Sequence, residues 1–162
     1  MHPKKQIVME TKYQGFLEDL IPILKGEVKR IKTTKNEGNF TAGLLHEYYH
    51  TLLLIQELSI EINLPLSSIG LNDISELNHQ YGEIPTALKP AAFKKLIQKL
   101  VKALKQKAAT LRQKNADNEA FQQGQLQAFH TILSILQEQA ELSFDIKLKE
   151  IGLEKVELSD YM

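Results

Sequence analysis

Phe40-Thr41-Ala42-Gly43-Leu44-Leu45 leads into Tyr49-His50-Thr51-Leu52-Leu53. About 80 residues later, Phe121-Gln122-Gln123-Gly124-Gln125-Leu126 leads into Phe129-His130-Thr131-Ile132-Leu133. Both passages close on one phrase, Leu64-x-Leu66-x-x-Ile69-Gly70-Leu71-x-x-Ile74 and Ile146-x-Leu148-x-x-Ile151-Gly152-Leu153-x-x-Val156. A chain that repeats itself in this way predicts an internal duplication, with repeats at about 10–83 and 88–160. On this reading His50 and His130 are an equivalent pair that symmetry could bring to one interface, where shared protonation would make the contact sensitive to pH. The plainer reading leaves each histidine at the edge of the core, and it is preferred because only the repeat links them.

Around these passages the apolar residues recur at helical spacing. Phe16, Leu17, Leu20, Ile21, Leu24, Val28 and Ile31 predict a first helix over about 10–35, with Pro22 expected to kink or break it. The polar Asn36-Glu37-Gly38-Asn39 is the turn into a second helix over about 40–63, and Pro65 redirects the chain. Asp73 with Glu76 resembles a capping box, and Gly82 is a stop signal for the short helix between them. Pro90 opens a third helix carrying Phe93, Leu96, Ile97, Leu100, Val101, Leu104, Ala108 and Leu111 to about Lys114. The fourth runs over about 119–144, and no alternating run suggests a strand. The expected fold is all-α. It is a four-helix bundle built from two tandemly duplicated helical hairpins, each followed by a short capping segment around Ile-Gly-Leu. One hairpin buries only part of its apolar face, whereas two can cover each other about a pseudo-twofold axis. Gly70 and Gly152 are expected to serve either a positive-φ turn or a close backbone contact.

Composition narrows the function classes. The 162 residues suit a single domain, and 43% apolar with 25% charged residues is ordinary for a globular protein. Twenty basic residues balance twenty acidic ones, which removes any general attraction to nucleic acid or anionic lipid. The absence of cysteine excludes disulfides and thiolate metal sites, and fits a reducing compartment. No apolar run suits a signal peptide or a membrane span, so a cytoplasmic protein is expected.

One motif carries chemistry. His46-Glu47-Tyr48-Tyr49-His50 matches His-Glu-x-x-His, in which histidines four apart on a helix chelate zinc and the glutamate is general base. That gives a zinc-dependent metallohydrolase, with His46 and His50 as metal ligands and Glu47 catalytic. Against it, no third ligand presents itself, and the second repeat has Gln127, Ala128 and His130 instead. The helical wheel gathers His46, His50, Glu57 and Glu61 on a polar flank opposite Leu45, Tyr48 and Leu52, which fits a solvated face. A di-iron carboxylate site would use Glu47-x-x-His50, but the fourth helix supplies Gln127-x-x-His130 and the third has no acid.

Charge is uneven along the chain. Residues 36–88 hold seven acids and no Lys or Arg, whereas residues 89–114 hold eight Lys, one Arg and no acid. The basic third helix could bind nucleic acid through Lys94, Lys95, Lys99, Lys102 and Lys105, or be neutralised within the fold. With only Phe93 interleaved, single-strand binding is disfavoured. The reading preferred from sequence is a non-enzymatic interaction or regulatory module, without metal or cofactor, that binds a protein partner or forms a homodimer. Metallohydrolase and nucleic-acid binder are the alternatives.

Overall fold

The computed structural model describes residues 3–34, 38–64, 69, 90–114 and 119–154. Helix α1 spans Pro3–Thr33, α2 Asn39–Glu61, α3 Pro90–Gln113 and α4 Glu119–Glu138. A π-helical turn, Gln139–Ser143, continues α4, and a one-turn α5 covers Leu148–Ile151. Among the described residues there is no strand, and the fold is an all-α helical bundle. No described helix is long and apolar enough to cross a membrane.

Some helix ends follow elementary electrostatics. Arg30 and Lys32 sit at the negative pole of α1, and Glu119 at the positive pole of α4. Pro22 does not break α1, contrary to one sequence expectation. It lies on the exposed face, where water can satisfy the carbonyl that its missing N–H leaves free. The apolar stripes anticipated for α1, α3 and α4 are buried, with Phe16, Leu20, Leu24, Leu96, Leu100, Ile132 and Leu136 wholly inaccessible. Each such side chain contributes roughly 1.5–3 kcal/mol.

The tightest packing joins α2 to α4, and α1 packs mainly on α3. The α2–α4 crossing is a contact of backbones. A Cβ added to Gly43 would overlap the carbonyl oxygen of Phe121 and lie 3.0 Å from the Gln125 nitrogen. One added to Gly124 would overlap the carbonyl oxygen of Phe40 and lie 3.1 Å from the Leu44 nitrogen. Only glycine permits this approach from either side. The two glycines thus hold matching places, 81 residues apart. Counted from them, Tyr48 matches Phe129 and Thr51 matches Ile132, while His50 matches Thr131 and His130 matches Tyr49. The sequence pairing of His50 with His130 is therefore one residue out of step with the crossing.

Past the crossing, each of these helices ends on a non-glycine residue in the left-handed region, Asn63 (φ 60°) and Asp145 (φ 49°). The Leu64 N–H then donates back to Ser59, and the Ile146 N–H to Ala140. The second span is one residue longer, and it contains the π turn. Leu64, Ile69, Ile146, Ile151 and Leu153 are all buried, so the described part of the Ile-Gly-Leu phrases does cover the core. Gly152 caps α5 at φ 84°, and a Cβ there would meet Val101 only at an ordinary 3.7 Å. Positive φ, not crowding, explains that glycine. Gly70 and the Asp73–Gly82 signals lie outside the described residues.

Candidate functional site

Two surfaces carry the residues singled out from sequence, the outer face of α2 and the length of α3. On α2, the buried positions Tyr48, Leu52, Ile55 and Ser59 face the core, which turns Ala42, His46, Tyr49, His50, Leu53 and Glu57 outward. Tyr49 is 39% exposed and Leu53 43%, and α2 carries apolar residues nearly all round. A helix of that kind is ordinarily covered on every side.

The histidines stack on this face. Their ring centroids are 4.1 Å apart with planes 28° from parallel, and His46 also meets Phe121 edge-on at 5.5 Å. Glu47 does not join them at the surface. It is buried in the α2–α4 seam, where Gln125 Nε2 donates to its Oε1 at 2.8 Å. His46 Nε2 lies 4.0 Å from the same oxygen. Among the described residues, no group of three His, Cys, Asp or Glu side chains could hold a metal ion. The carboxylate a hydrolase would need beside an open metal position is committed to a structural hydrogen bond.

Tyr48 reaches inward, and sequence reading assigned it no polar role. Burial first, and the charge of Glu27 second, push its hydroxyl up to about 12, while a hydrogen bond with Thr131 and the charge of Arg30 act the other way. Glu27 is itself held by Arg30 through bonds of 2.8 and 3.2 Å. On the same helix Gln56 is fully buried, and neither end of its amide finds a hydrogen-bond partner among the described residues.

The basic run of α3 divides into two parts. Near its start, Lys99 donates to Glu61 of α2 at 2.7 Å, and Lys99 with Lys95 holds that carboxyl below its ordinary range. Lys94 lies 5.6 Å over the Tyr13 ring. Tyr13 in turn donates to Glu150 at 2.6 Å. That bond lowers the Glu150 carboxyl, aided by Lys12, Lys94 and Lys147, and burial with the same contact raises the Tyr13 hydroxyl. Lys99 is thus paired within the fold, while Lys94 and Lys95 add weaker attractions to Glu150 and Glu61. Farther along, Lys105 donates to the Gly152 carbonyl at 3.1 Å, and Lys102 and Lys107 face solvent.

No protein-family model, curated protein or solved structure matches the chain. Its function must be read from its own surfaces.

Proposed function

We propose that this protein is a non-enzymatic helical module that binds a protein partner, a second copy of itself included, through the outer face of α2. The observation that carries the reading is the row Ala42, His46, Tyr49, His50 and Leu53, which leaves apolar and aromatic surface in water on the most apolar helix of the bundle. Contiguous apolar surface of this kind marks interaction sites, and aromatic residues with polar tips are favoured there. Lys32 lies 5.0 Å over the Tyr49 ring, which gives the patch a charged rim. The seat of Glu47 in the seam speaks for a structural role for that residue rather than a catalytic one.

The same proposal takes the two halves of the chain as tandem copies. The reciprocal glycine crossing and the paired left-handed residues Asn63 and Asp145 support it. A relative whose two halves were unrelated in sequence would count against it.

The test places a photoreactive residue at position 53, with a control at Glu18 on the exposed side of α1. Position 53 is expected to crosslink to a discrete protein, and Leu53→Glu to abolish any self-association seen by light scattering. A strictly monomeric protein that yields the same diffuse crosslinks from both positions refutes the reading.

A further inference from the structure

An open groove of about 510 Å³ lies between the second half of α3 and the short α5, its volume within the range of small-molecule sites. Val101 and Ile151 close its base from the core side, both buried, and its walls carry Lys102, Lys105, Lys149 and Gln106. Glu150, the acid among the described residues that line it, has its carboxylate on the Tyr13 hydroxyl and 3.9 Å from Lys12. Its charge is thus answered from α1. Gln98 donates to the Glu150 carbonyl at 2.8 Å and Lys105 to that of Gly152 at 3.1 Å, so α3 ties down the far wall. One N–H of Lys105 is used in this way, and an ammonium has three donors.

Three cations line one groove whose carboxylate is drawn off to α1, an arrangement that favours an anion. We propose that this groove binds a small phosphate-bearing molecule, its anionic group held by Lys102, Lys105 and Lys149 between α3 and α5. This site is separate from the face of α2 and does not depend on it. The three lysines supply point charges to the phosphate oxygens.

Calorimetric titration of the full chain with phenyl phosphate and with inorganic pyrophosphate tests this. Both are expected to bind at one site, more weakly as salt rises. Lys102→Gln and Lys149→Gln are each expected to weaken binding about fivefold, as loss of one charge near 4 Å in water implies. Lys29→Gln, on the exposed face of α1, is expected to change nothing. No heat with either probe overturns the proposal, as does binding weakened equally by Lys29→Gln. Tight binding of a mixed-sequence single-stranded oligonucleotide that neither probe displaces would also overturn it, in favour of a nucleic-acid surface.

Discussion

Gly43→Ala and Gly124→Ala test the backbone crossing that organises the bundle. Each methyl would overlap a carbonyl oxygen of the facing helix, well inside the 3.0 Å limit that real Cβ contacts respect. A backbone atom cannot rotate away as a side chain can, so the helices must separate by about 1 Å, a gap that forfeits a quarter to a half of each dispersion contact along the seam. Overpacking of this kind costs about 3 kcal/mol, the upper part of its usual range. Better helix propensity returns about 1 kcal/mol. The net loss is then about 2 kcal/mol, or roughly 4–8 °C in Tm for a chain of this size. Gly26→Ala is the control. It sits exposed in α1 with nothing within 4 Å of an added Cβ, so only the propensity gain remains and Tm should rise by roughly 2–4 °C. Thermal unfolding followed by far-UV circular dichroism measures all three. One displacement would relieve both overlaps, so the double variant Gly43→Ala/Gly124→Ala should lose less than the sum. If either seam variant proves as stable as the parent, or gains as Gly26→Ala does, the backbones are not in contact and the account of the fold fails.

Gln56→Leu should stabilise the protein by about 1 kcal/mol, since it replaces a buried amide that has no partner among the described residues by an apolar group of similar size, and a lower urea midpoint would contradict this. Alkaline unfolding should include Tyr48. Its hydroxyl is raised to about 12 in the fold, so its contribution is complete below its ordinary value near 10 and is lost as pH climbs through 12. Tyr48→Phe should flatten the stability profile in that window, and an unchanged slope would remove the assignment. Glu150 behaves in the opposite sense, because a carboxyl lowered in the fold stabilises above its ordinary value and is lost on acidification. Tyr13→Phe, which deletes its main hydrogen bond, should cost about 1 kcal/mol at neutral pH and shrink that acid dependence, whereas equal profiles would show that the bond contributes nothing. Elemental analysis of purified protein is expected to find no stoichiometric zinc, with His50→Ala unchanged. One zinc per chain, lost on that substitution, would restore the hydrolase reading.

Much of the fold was legible in the chain because helices announce themselves locally. The stripes of α1, α3 and α4 and the glycines of the repeated phrase could be read from spacing alone. What spacing does not carry is the partner across a seam. Glu47 has the sequence neighbours of a catalytic base, yet its position is settled by Gln125, 78 residues away. Likewise the lysines of α3 form one basic run in sequence, and only the fold sets Lys99 against Glu61, Lys94 near Glu150 and Lys105 on the Gly152 carbonyl. The exposure of Tyr49 and Leu53 was half legible. The helical wheel set His46, His50, Glu57 and Glu61 on a solvated flank, and the apolar surface of Tyr49 and Leu53 beside them becomes visible only once α1, α3 and α4 have taken theirs.

The π turn at Gln139–Ser143 bears on how this chain tolerates changes of length. Adding one residue inside an α-helix swings everything after it by about 100°, which here would carry Ile146 and Ile151 off the core. A widened turn takes up the surplus where it occurs, and Leu142 is left 82% exposed at the bulge. The helix body before it keeps its rotational setting against the facing helix, and the cap beyond still docks. Slack of this kind, stored within a helix and not in a loop, lets the outer end of the bundle grow or shrink by single residues while the glycine contact stays in place.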